Sequence, residues 1–257
     1  MSINYDAYQI FADKVVYKSR FVLDDESKKF KAFLKNSATK RAATVSCEHH
    51  LYRARKGYAC TDGGFFKAYP TKDMLAPPPD KAREGRINPK GIPCFYSADH
   101  FKTAISEMRP WVGELISVAI FQPSRSLTVI DLTNDEEAST VFKKCLRKAL
   151  PKTEQEIESQ IWSELNRAFS EPVPHEDQSA KYTPTQIICE WFKSWRFDGV
   201  AYKSSIHTEG KNFAFFNAND FTINNEAGQS QVHRIAGIEV NSDPADSILT
   251  VSNNTLK

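Results

Sequence analysis

Between Leu51 and Glu107 the chain sets arginine, tyrosine and a carboxylate into runs that are otherwise apolar. These are Leu51-Tyr52-Arg53-Ala54-Arg55, Gly85-Arg86-Ile87-Asn88-Pro89, Phe95-Tyr96-Ser97-Ala98 and Thr103-Ala104-Ile105-Ser106-Glu107. Such groups are costly to take out of water unless a charged partner sits opposite them, so the pattern points to an anion-binding cleft. Arg53 and Arg55 lie two apart on a predicted strand and share one face, with Tyr52 and Ala54 on the other. A guanidinium placed there can fork onto a phosphate or carboxylate, a geometry that lysine lacks, although an exposed edge strand carries arginines equally well.

The segment Gly85-Arg86-Ile87-Asn88-Pro89-Lys90-Gly91-Ile92-Pro93 combines residues that fix φ with residues that permit positive φ, so it is built to hold one particular path. A loop of that kind positions a ligand or serves only as a turn. Glu107 falls at the end of a predicted helix from His100 to Met108, where a carboxylate opposes the macrodipole and needs some other partner. Arg109 is the nearest candidate by sequence. Ser204 and Ser205 follow the apolar run Val200-Ala201-Tyr202, at a strand end where sites gather and where serines also serve as caps.

Other chemistry is disfavoured. Cys47-Glu48-His49-His50 has no second cluster to complete a tetrahedral set, so no metal site is expected. The chain lacks GxGxxG, GxxxxGK[ST] and GxSxG, the working parts of dinucleotide-binding, P-loop and hydrolase folds. With Lys+Arg 34 against Asp+Glu 32, the formal net charge of +2 gives no dominant electrostatic hold on nucleic acid or an anionic membrane. The five cysteines are scattered without a CxxC pair, which reads as a reducing compartment. No basic segment leads into an apolar run after Met1, and no apolar window reaches membrane-spanning length. The expectation is a soluble cytoplasmic protein, although export without a cleaved signal leaves the same signature.

At 257 residues and 40% hydrophobic content, the chain can bury one sizeable core, as a single large domain with a small appendage or as two domains. Residues 1–46 carry a helical period in Phe11, Val15 and Val22, then Phe30, Phe33 and Leu34, with Asp24-Asp25 as a cap between two amphipathic helices. From Leu51 the period becomes two, and strands are expected at 94–96, 115–121, 127–130, 199–202 and 213–216. Helices are expected over 135–150 and 153–169, the second opened by a Thr153/Glu156 capping box. Together they read as an insertion over about 135–180. A polar linker holding Pro172, Pro174 and Pro184 leads to a helix from Thr185 to Trp195 with an apolar stripe. The tail from 223 is expected to add an edge strand at 232–240 before a disordered Ser/Asn-rich end.

The ordered blocks Tyr52-Arg53, Gly85 to Pro89, Phe95 to Ala98, Thr103 to Glu107, Asp131-Leu132-Thr133, Thr185-Gln186, Asp198 to Ser204 and Asn212 to Phe216 together resemble the RES-domain family. The resemblance runs from about Leu51 to Phe216, within a domain placed at 47–222. It implies an α+β fold, a mixed β core similar to ADP-ribosyltransferases of the diphtheria-toxin type. It also implies an NAD-destroying bacterial toxin neutralised by an antitoxin with an Xre-like helix-turn-helix domain. By position in the motifs, the resemblance makes Arg53, Tyr96, Glu107 and Ser204 the catalytic set. Tyr52, Arg86 and Asn88 would line the site, and Ser205 stands as an alternative to Ser204.

The expected substrate is NAD, with inorganic phosphate or water as acceptor and no metal. Its nicotinamide is already cationic and leaves as a neutral base, so one carboxylate can suffice where ordinary glycosidases use two. In this reading Arg53 forks onto a phosphate and Tyr96 packs on the nicotinamide or its ribose. Glu107 stabilises the oxocarbenium-like centre, and Ser204 bonds the nicotinamide side. The competing readings are a protein ADP-ribosyltransferase using the same cleft and a non-catalytic domain that grips a phosphorylated or acidic partner.

Overall fold

The computed structural model describes residues 3–133, 153–173, 178–207, 209–222 and 230–238. A mixed sheet forms the centre of an α+β molecule. Its strands are β1 (Ala42–Val45), β2 (Leu51–Lys56), β5 (Phe95–Ala98), β6 (Leu115–Pro123), β7 (Leu127–Asp131), β8 (Gly199–Lys203), β9 (Lys211–Phe215), β10 (Phe221–Thr222) and β11 (Gln231–Arg234). The order is β1-β7-β8-β9-β5-β2-β6-β10, with β11 also paired to β6. Strands β3 (Ala59–Cys60) and β4 (Phe66–Lys67) make a separate hairpin. β7 and β8 run parallel, so a long connection must return the chain between them, and two helices supply it: α4 (Glu154–Ser170) and α5 (Thr183–Ser194).

The two apolar faces of the sheet explain the alternation read in the strands. Ile130, Val200 and Ala214 pack on the helical side, while Val129, Ala201, Phe213 and Phe215 pack with Leu51, Phe95 and Phe121 on the other. Helices α1 (Ala7–Tyr17) and α2 (Asp25–Ala38) form where the sequence places them, and the Asp24 carboxylate accepts the Ser27 amide as the N-cap of α2. Val22, read as part of their apolar face, instead lies in the turn between them and is 76% exposed.

The helical extension 1–46 packs on the main core: β1 pairs with β7 along Ala42↔Ile130 to Val45↔Leu127, and the Phe11 ring lies 5.0 Å from Trp191 of α5. Helix α4, within the expected insertion, packs into the same core. Ile161, Trp162, Leu165 and Phe169 are fully buried in the main core, and the Trp162 indole donates to Ser37 Oγ of α2 at 3.2 Å. Each such side chain contributes about 1.5–3 kcal/mol by burial, so these helices belong to the fold's stability.

The Thr153/Glu156 capping box is present. Pro184, expected in the linker, stands in the first turn of α5, where its missing N–H is harmless. The expected helix over 135–150 and the tail beyond 238 lie outside the described residues. No described helix is long and apolar enough to cross a membrane.

Candidate active site

Helix α3 (Phe101–Glu107) packs Thr103 and Ala104 inward and ends on Glu107. Arg109, at φ 45°, turns the chain away. The Glu107 carboxylate finds its partners across the sheet rather than in Arg109: Oε1 accepts from Ser204 Oγ at 2.7 Å and from Asn212 Nδ2 at 2.6 Å. Ser204 Oγ in turn accepts the amides of Ile206 and His207 at 3.3 and 3.1 Å, which directs its own proton to the carboxylate. The loop after Ser204 closes on α3 through a 2.9 Å hydrogen bond between His207 Nδ1 and Thr103 Oγ1. Gly210 permits that approach, since a Cβ there would come within 2.0 Å of Thr103 Oγ1.

On the neighbouring strands, β2 and β5 pair at Tyr52↔Ala98. Beyond that point the Arg53 guanidinium takes the Tyr96 carbonyl at 2.6 Å and lies 5.3 Å from the Phe95 ring centroid. Burial lowers the Arg53 pKa to about 10, so the group remains a cation at neutral pH. Among the described residues no carboxylate pairs with it.

The Tyr96 hydroxyl donates to Asn88 Oδ1 at 2.6 Å and accepts the Ile87 amide at 3.2 Å. Its burial pushes the phenol pKa well up, so it stays neutral. Asn88 Nδ2 donates to the carbonyls of Arg83, Pro89 and Ile92. Thr185 Oγ1 holds the Arg86 carbonyl at 2.6 Å, and Gln186 Nε2 holds those of Gly85 and Asn88. The Gly85–Pro93 loop is therefore stapled from two sides, by β5 and by α5. At Gly85 itself a Cβ would meet the Tyr96 hydroxyl at 2.7 Å.

These elements enclose a cavity of about 360 Å³ lined by both Arg53 and Glu107, within the range of small-ligand pockets, about 300–1,000 Å³. The RES-domain family model matches residues 50–234. The chain belongs to the RES-domain family. Among solved structures, a chain of the M. tuberculosis MbcT–MbcA toxin–antitoxin complex is similar at 14% identity, covering 78% of this chain and 91% of that chain with a TM-score of 0.40. No curated protein matches the sequence.

The match of the RES domain extends past Phe216 to include β11. Of the residues singled out by sequence, Tyr52, Arg53, Arg86, Tyr96, Glu107 and Ser205 line the cavity. Ser204 and Asn88 are not among the lining residues: Ser204 holds Glu107, and Asn88 holds the loop. Tyr96 offers its ring, because its hydroxyl is committed to the loop. Arg86 donates to the Phe169 carbonyl and lies 5.7 Å from the Tyr182 ring, so its direction is set by α4 and the segment before α5. Arg55, read on the same face as Arg53, instead bonds the Asp73 carbonyl at 2.9 Å and stacks on Tyr69.

Sequence reasoning missed Asn212, Tyr202, Ser97, Ser170 and Arg109, which also line the cavity. Asn212 carried a signal: it is an amide beside the Phe213-Ala214-Phe215 strand run, only 5% exposed. Buried amides need partners. No group of three or more His, Cys, Asp or Glu side chains suited to a metal occurs among the described residues, and His49 packs against Phe213 with centroids 5.9 Å apart.

Proposed function

We propose that this RES domain degrades NAD by breaking the bond between nicotinamide and ribose, with inorganic phosphate or water as acceptor. One observation carries the reading. A carboxylate fixed through one oxygen by Ser204 and Asn212 shares a cavity with a guanidinium that lacks a carboxylate partner among the described residues. A part-buried cation without a carboxylate partner suits an anionic ligand. A positioned carboxylate in the same cavity suits a reaction that develops positive charge. NAD meets both requirements in one molecule, with its pyrophosphate for Arg53 and its ribosyl carbon for Glu107.

The C1′–N bond breaks with its electron pair going to the nicotinamide nitrogen, which leaves neutral, so no protonating acid is required. Glu107 stabilises the oxocarbenium-like carbon, and the Tyr96 ring faces the ligand. An oxygen of phosphate or water then bonds C1′, the water losing a proton to Glu107 or solvent. Ser204 and Asn212 are positioning residues that hold the carboxylate in one orientation.

Incubation of the purified protein with NAD, with and without phosphate, tests this by product identification. Nicotinamide together with ADP-ribose or its 1″-phosphate is the expected outcome, and the two products separate the acceptors. ADP-ribose attached to protein would instead indicate a transferase, and absence of nicotinamide release would refute catalysis. As a family member acting on a central cofactor, the protein is proposed to be a cytoplasmic toxin held inactive by an Xre-type antitoxin. Growth arrest with NAD depletion on expression, reversed by co-expression of such a partner, checks that role.

A further inference from the structure

We propose that the Tyr202 hydroxyl binds the ribose from which the base departs, beside the Glu107 carboxylate. The proposal rests on the NAD reading for the identity of the ligand and on the sheet for the position of the residue. Tyr202 lines the cavity and is 8% exposed, and its hydroxyl has no hydrogen-bond partner among the described residues. That oxygen is not sealed into the packed interior either. A phenol on so buried a side chain ordinarily finds a partner, and for Tyr202 the cavity is where one can come from.

Cross-strand register fixes the face on which the residue lies. Tyr202 pairs with Asn212 on β9, Asn212 with Ala98 on β5, and Ala98 with Tyr52 on β2, and residues paired in this way share a face. All four line the cavity, so one row of side chains across four strands makes its floor. Glu107 is tied to this row next to Tyr202, because Asn212, directly opposite, and Ser204, two residues on, both donate to its Oε1. Burial raises the Tyr202 pKa, with the Arg86 and Glu107 charges acting on the phenol in opposite directions, so the group stays neutral. A neutral phenol donates and accepts, whereas a carboxylate only accepts. Ribose hydroxyls do both, so the pair matches a sugar diol. A phosphate oxygen in the same position would be repelled by Glu107, which assigns this end of the cavity to the sugar rather than the pyrophosphate.

Tyr202→Phe removes the oxygen and keeps the ring in the core. The test uses the Glu107→Gln protein, so that NAD is not consumed, and measures affinity for NAD, ADP-ribose and ADP by calorimetry, with and without Tyr202→Phe. ADP-ribose keeps the ribose and lacks nicotinamide, and ADP lacks both. The unfolding midpoint without ligand is recorded for each protein. The expected result is affinity weakened about fivefold for NAD and ADP-ribose, with ADP unaffected and the midpoint no lower than that of the parent. Affinities for NAD and ADP-ribose within about twofold of the parent would overturn the proposal. Loss for NAD alone would do the same by moving the contact to nicotinamide, as would an equal loss for ADP or a midpoint that falls in step with affinity. A parent that binds ADP-ribose but not NAD would sink the NAD reading and leave Tyr202 to be judged on ADP-ribose against ADP, whereas a parent that binds neither overturns both.

Discussion

Arg53 and Arg125 are held in opposite ways. Arg125 is half exposed, yet its guanidinium meets Asp198 at 2.6 Å and Asp220 at 2.9 Å, and those carboxylates raise its pKa. Arg53 is part-buried at the cavity, bonds a neutral carbonyl, and has its pKa lowered by desolvation to about 10. A counter-ion would matter most where the dielectric is lowest, and that is where the fold supplies none. The surface arginine is organised for the fold, since Asp198 also accepts the Thr128 amide at the start of the β7–β8 pairing. In the function proposed above, the arginine at the cavity is the one that a ligand answers.

The largest expected effect lies at the carboxylate that lines the same cavity as Arg53. Glu107→Gln retains an oxygen for Ser204 and Asn212, so the melting temperature should stay near the parent value. Nicotinamide release should fall by about 100-fold or more. A rate within a few-fold of the parent would break the assignment of Glu107 to the reacting centre. Arg53→Ala should raise the dissociation constant for NAD by about 10–100-fold. Its effect on stability should be smaller, because loss of the Tyr96 hydrogen bond is offset by removal of a desolvated charge.

Titration sharpens the same contrast. Anion binding needs the protonated guanidinium, so NAD affinity attributable to Arg53 should hold to about pH 9 and decline as pH passes through about 10. The folded-state pKa lies below the usual arginine value. Arg53 therefore disfavours folding at neutral pH, and this penalty is relieved as pH rises from the folded toward the unfolded pKa. Affinity of the Arg53→Ala protein should lack this decline.

The local part of this architecture was legible in the sequence. Alternation located β2 and β5 to β9, and Thr153 with Glu156 marked the start of α4. Periodicity reports that a side chain is buried but not against what, so the long-range part was hidden. Nothing near Trp162 indicates that its indole bonds Ser37, and nothing near Ala42 indicates that β1 completes the sheet beside β7. The site divides in the same way. The residue types at Arg53 and Glu107 and their place in the motifs were readable. The partners of Glu107 come from the ends of two strands about a hundred residues on, and only the closed sheet brings Ser204 and Asn212 to one oxygen. Thr185 and Gln186 stood out as a motif block without a visible task until α5 was seen to staple the Gly85–Pro93 loop.

Asn212→Ala tests that long-range assembly with a smaller expected effect. Glu107 keeps its bond from Ser204 and loses one of two, so kcat should fall about tenfold while KM changes little. Equal loss in KM would place Asn212 against the substrate instead of behind the carboxylate.

The smallest effect is expected at the other arginine. Arg125→Ala should lower unfolding free energy by only about 1 kcal/mol, as is usual for exposed ion pairs, and the difference should shrink in high salt. NAD turnover should be unchanged, because Arg125 bonds Ser126, Asp198 and Asp220, none of which lines the cavity. Urea titration at two ionic strengths, run beside the same measurement on Arg53→Ala, decides whether the contrast is real. If the two variants lose stability alike and both retain NAD affinity, Arg53 is another structural arginine and the unanswered charge in the cavity has no ligand to answer it.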